Sequence, residues 1–73
     1  MSKLPTDISG TDAVRAFNKD GWMTRKWGSH IILEKPGMRP ILSIPNHRIL
    51  KPGTLRALIR TAGLTLDQFL ELL

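Results

Sequence analysis

The chain has 73 residues, with eleven Lys and Arg against six Asp and Glu, and no cysteine. A length of this kind is expected to form one domain, residues 1–73, with a modest core and no room for a cofactor-binding domain beside a catalytic one. The missing cysteine excludes disulfides, thiolate catalysis and cysteine-based zinc sites, and it fits a reducing compartment. The formal charge of +5 and an isoelectric point near 10.5 point to a polyanionic partner, most often nucleic acid, with plain solubility as the alternative. The basic residues are spread along the chain, so a folded surface must gather them. No segment has the apolar length to cross a bilayer. The first ten residues, MSKLPTDISG, lack the apolar stretch of a signal peptide, and a cytoplasmic protein is expected.

In chain order, Ser9 is a candidate N-cap, and Asp12 three residues later suits the positive end of a helix dipole. Ala13, Val14 and Phe17 recur at helical spacing and Gly21 supplies a C-cap, which predicts a helix over Gly10 to Asp20. Trp22 to Trp27 reads as a strand, Gly28 as a turn or bulge, and Ser29 to Lys35 as a second strand. Pro36 to Pro40 is a turn, and Ile41 to Ile44 a short third strand ended by Pro45. Such short connections make the three strands antiparallel neighbours. Pro52 suits the opening of a second helix. Leu55, Leu58, Ile59 and Ala62 form its apolar stripe, and Gly63 ends it. Thr65 caps a final short helix carrying Leu66, Phe69, Leu70 and Leu73. The expected fold is α+β, ordered α-β-β-β-α with a short terminal helix, the main helices on one face of the sheet and the other face open.

The chain has two histidines. His30 opens the second strand and shares a face with Ile32 and Glu34, opposite the better core face of Ile31 and Leu33. Gly28 and Ser29 before it are small, so a large ligand has access. An imidazole there can exchange a proton near neutral pH, or it can be a tolerated strand-start residue. Ser29 is a second hydrogen-bonding group if a bulge at Gly28 turns it to the same face. His47, in a loop between prolines, can contact phosphate, bond the backbone or be solvated. Trp22 and Trp27 can stack on bases, although Trp22 suits the core. Lys51, Pro52, Gly53 and Thr54 open the second helix. Their backbone N–H groups, a hydroxyl and a cation can bind phosphate, with ordinary capping by Thr54 or a neighbour as the alternative. No cluster has metal-ligand spacing, and no metal or cofactor is expected.

Several stretches resemble one family when taken together: Lys3-Leu4-Pro5, Ser9-Gly10, Gly21-Trp22, Arg25, Gly28-Ser29-His30, the Pro45 and His47 loop, Leu50 to Leu55 (LKPGTL), and Ala62 to Leu70 (AGLTLDQFL). They are similar to the HicA family of small toxins from HicBA toxin–antitoxin pairs. The resemblance implies a fold like that of a double-stranded-RNA-binding domain. It also implies a ribonuclease that cleaves mRNA and stops translation, and a HicB antitoxin that covers the active site. It places the catalytic histidine at His30. On that footing His30 is expected to deprotonate the ribose 2′-hydroxyl, without a metal, while Arg25, Lys26, Ser29, Lys51 and Thr54 hold the RNA. Two other readings stand beside it. One is a non-catalytic RNA-binding module of the same fold. The other is an interaction domain whose basic face serves an acidic partner.

Overall fold

The computed structural model describes residues 3–73. Met1 and Ser2, the start of the segment read for a signal peptide, lie outside the described residues. The elements run α1 (Gly10–Lys19), β1 (Met23–Lys26), β2 (His30–Glu34), β3 (Leu42–Pro45), α2 (Pro52–Thr61) and α3 (Leu66–Leu72). The order is the expected one, with boundaries shifted by a residue or two.

Local chemistry fixes the helix ends. At the start of α1 the Asp12 N–H donates to the Ser9 hydroxyl (3.0 Å), and the Ser9 N–H donates to the Asp12 carboxylate (3.1 Å). Thr65 and Gln68 make the same reciprocal box at α3. Each box satisfies two donors that the helix cannot. The Ser9 backbone N–H, then its hydroxyl, then Arg15 hold the Asp12 carboxyl below its ordinary pKa. At the other end, Gly21 and Gly63 take positive φ, 98° and 76°. Their N–H groups reach Asn18 O and Arg60 O, while the next residues, Trp22 and Leu64, reach Phe17 O and Ile59 O. Both helices therefore close in the same Schellman turn, which needs a left-handed residue at that place.

The sheet is antiparallel in the order β1-β2-β3. Its registers set Met23 opposite Glu34, Thr24 opposite Leu33 and Lys26 opposite Ile32, and His30, Ile31, Ile32 and Leu33 opposite Pro45, Ile44, Ser43 and Leu42. Pro45 is thus the last residue of β3 and not its terminator. An edge strand tolerates a proline because one side of its backbone needs no partner. Ile31, Leu33, Leu42 and Ile44 are fully buried beneath the helices, with Ala13, Val14, Ala16 and Phe17 of α1, Leu55, Leu58 and Ile59 of α2, and Phe69 of α3. The Phe17 and Phe69 rings meet at 5.1 Å between centroids. The other face of the sheet is bare: His30, Glu34 and Ser43 are exposed and Ile32 is half-buried.

The register between β1 and β2 slips between Thr24 and Lys26, so Arg25 is an extra residue, a β-bulge. Strict alternation would send Lys26 to the helix-covered face with Thr24. The inserted residue brings it back opposite Ile32, on the bare face.

Candidate nucleic-acid interface around His30

His30 is the first residue of β2, exposed, and paired across the sheet with Pro45. Lys26 faces Ile32, two residues from His30 on the same side, which makes it a diagonal neighbour at about 7–8 Å between backbones. A cation and an imidazole on one flat surface suit a phosphodiester, the cation holding the phosphate and the ring moving a proton. Among the described residues, no side chain is hydrogen-bonded to the ring of either histidine.

One loop ties the end of the sheet that carries His30 to the start of α1. The Asn46 N–H donates to Ser29 O (2.9 Å) and the Asn46 side-chain amide to Gly28 O (3.2 Å). One residue on, His47 O accepts the Gly10 N–H (2.9 Å), and Ile8 O accepts the Leu50 N–H (2.8 Å). A β-carbon on Gly10 would collide with the Pro45 carbonyl oxygen. The start of α1 is therefore pressed against the loop that holds the β1–β2 hairpin.

The structure brings His30, Lys26 and Ser29 to one end of the sheet. The Ser29 hydroxyl has no hydrogen-bond partner among the described residues, and the bulge lies at Arg25 and not at Gly28. Arg25 is engaged elsewhere: its Nε donates to the Glu34 carboxylate at 3.0 Å, with both side chains about half exposed (52%). Lys51 is the N-cap of α2 and makes no side-chain cap bond. Thr54 is half-buried and does not cap the helix either, so among the described residues the N–H groups of that first turn have no side-chain acceptor. Neither Lys51 nor Thr54 is hydrogen-bonded to the hairpin. The His47 backbone does structural work while its side chain is exposed. Of the tryptophans, Trp22 is 1% exposed, with an indole N–H that finds no partner among the described residues, and Trp27 is 59% exposed next to the hairpin. Only Trp27 is available to a base. Among the described residues, no three of His, Asp and Glu stand close enough to hold a metal ion.

Sequence reasoning missed two contributors. Asn46 looked like one polar residue in a polar loop, and nothing in a single sequence says whose carbonyls it meets. The bulge at Arg25 carries no glycine to mark it.

Fold and site define a class: a small basic α+β protein whose three-stranded sheet is covered by helices on one face and presents a histidine on the other. Residues 10–64, from the first residue of α1 to just beyond α2, match the HicA toxin of bacterial toxin–antitoxin systems. The chain belongs to that family. A comparison with curated proteins finds no match. Among the described residues, no helix is long and apolar enough to cross a membrane.

Proposed function

We propose that this toxin is a single-domain cytoplasmic endoribonuclease that cleaves mRNA, with His30 as its general base. The observation that carries the reading is the exposed His30 on the bare sheet face with Lys26 diagonal to it, in a member of the HicA toxin family. His30 takes the proton of the ribose 2′-hydroxyl, and the 2′-oxygen attacks the adjacent phosphorus. The bond to the 5′-oxygen breaks, that oxygen takes a proton from solvent, and a 2′,3′-cyclic phosphate remains. The nucleophile is internal to the RNA, so positioning replaces activation by a metal. Lys26 holds the phosphate. Arg25, Ser29, Lys51 and Thr54 extend the RNA contact, and Trp27 offers a stacking surface. A HicB-type antitoxin silences the toxin by covering the same face, with acidic or hydrogen-bonding groups near Lys26 and His30.

The test compares wild type with His30→Ala for toxicity on expression and for RNA cleavage, with product analysis and a substrate lacking the 2′-hydroxyl at the cut site. Wild-type cleavage leaves a cyclic phosphate, the deoxy substrate resists, and the Ala variant retains only a residual rate, about a hundredfold to ten-thousandfold lower. Full activity of a well-folded His30→Ala protein sinks the assignment. A second reading, a non-catalytic RNA-binding module, is favoured by one observation: among the described residues, no carboxylate or other side chain is hydrogen-bonded to the His30 ring to orient it. RNA binding without any cleavage by the wild type would decide for it.

A further inference from the structure

We infer that Asn46 is a positioning residue for His30, an inference that rests on the catalytic reading of that histidine. The hairpin leading into His30 has no apolar anchor: Trp27, Gly28, Ser29 and His30 are all exposed. Burial fixes β2 from Ile31 onward, where that residue lies fully buried opposite Ile44, but it does not reach the turn itself. Asn46 takes over that task from across the sheet. Its backbone N–H holds the Ser29 carbonyl and its side-chain amide holds the Gly28 carbonyl, two successive acceptors immediately before the histidine. Among the described residues, Asn46 is the only side chain hydrogen-bonded to residues 27–30. The clamp is grounded in turn, because its neighbours Pro45 and His47 are fixed by pairing with His30 and by the Gly10 N–H. A rigid path thus runs from the start of α1 through Asn46 to the hairpin. The amide touches no reacting atom; it sets where the imidazole stands.

Misplacement of a reacting group by about 1 Å costs on the order of a hundredfold in rate. Asn46→Asp keeps the shape, removes the donor and turns a carboxylate oxygen toward the Gly28 carbonyl. Asn46→Gln keeps an amide donor on a longer arm. The experiment measures kcat and KM of RNA cleavage for wild type, both variants and Asn46→Ala, with melting curves. It also measures RNA affinity of each substitution in a His30→Ala background. The expected result for Asn46→Asp and Asn46→Ala is a fall in kcat of about ten- to a hundredfold. Melting should stay within a few degrees of wild type, RNA affinity should be unchanged, and Asn46→Gln should recover part of the rate. Residual cleavage by His30→Ala should not fall further when Asn46→Asp is added, since there is no ring left to place. Wild-type kcat in both Asn46→Asp and Asn46→Ala overturns the inference, and so does a loss confined to KM or a fully additive loss in the His30→Ala background. Those failures differ from failure of the underlying reading, which shows as an active His30→Ala protein whatever stands at position 46.

Discussion

At His30 the strand geometry separates chemistry from stability. The side chain is exposed at the start of β2, so His30→Ala removes nothing from the core, and its cost in stability should be about 1 kcal/mol or less. The catalytic reading predicts a far larger loss of cleavage, about a hundredfold to ten-thousandfold. Thermal melting beside a cleavage assay reads both, and a large loss of stability would reassign the ring to a structural role. Ser9 and Asp12 behave in the opposite way. The capping box they form predicts that Ser9→Ala lowers stability by about 1 kcal/mol with the site untouched. The Asp12 carboxyl, held below its ordinary pKa chiefly by the Ser9 backbone N–H, adds a pH dependence. The folded state binds its proton less readily than the unfolded chain. Its contribution is therefore complete above the unfolded pKa, about pH 4, and is lost as pH falls through the lower folded value. Melting temperature followed downward from pH 5 should show a drop that Asp12→Asn makes smaller. A drop of the same size in that variant would remove Asp12 from the explanation.

Between elements, two contacts decide whether the layers stay in register. Gly10 sits where the first turn of α1 meets the Pro45 carbonyl with no space for a side chain. A glycine at a helix position is usually improved by alanine. Here Gly10→Ala is expected to destabilise by about 1–3 kcal/mol, as overpacking does elsewhere, and to shift the loop that holds the hairpin. Denaturant unfolding checks the sign, and a more stable Ala variant would show that the loop yields without cost. Phe69 lies beyond residues 10–64, the segment that matches the family, yet it is completely buried and packed at a tilt against Phe17. Phe69→Ala should cost about 3–5 kcal/mol, which shows as a large fall in melting temperature. Helix termini were legible in the sequence because caps are local: Ser9, Thr65, Gly21 and Gly63 each act within a few residues of their own position. The alternation of Ile31 and Leu33 against His30 and Glu34 was legible for the same reason. The bulge at Arg25 and the Asn46 clamp were not. Both depend on which strand lies alongside, and that is settled by the packing of the whole sheet. Thr54 illustrates the limit from the other side: a residue with good capping chemistry stands half-buried and caps nothing, because Lys51 already occupies the N-cap position.

Taken whole, the molecule is asymmetric, with helices and core on one side of a thin sheet and a bare surface on the other. If RNA lies on that surface, affinity should fall steeply with salt, because each phosphate neutralised on a single strand releases counterions worth a slope of about −0.7 in log affinity against log salt. Titrations of His30→Ala protein should show this. Adding Lys26→Ala should flatten the slope by roughly one such unit, and an unchanged slope would remove Lys26 from the phosphate path. The bare face has a further consequence, for the behaviour of the toxin alone in solution. Met23 of β1 is 47% exposed, Ile41 beside β3 is 51% exposed, and Ile32 lies half-buried between the strands. The net charge of +5 should keep such faces apart in dilute buffer. At 1 M salt the range of that repulsion shrinks to about 3 Å, while contact between apolar surfaces is not weakened and sulfate strengthens it. The free toxin should therefore scatter more light as ammonium sulfate is added, and Ile41→Lys should delay the onset. Purification in moderate chloride, rather than a salting-out step, then becomes the gentler route to a monodisperse sample.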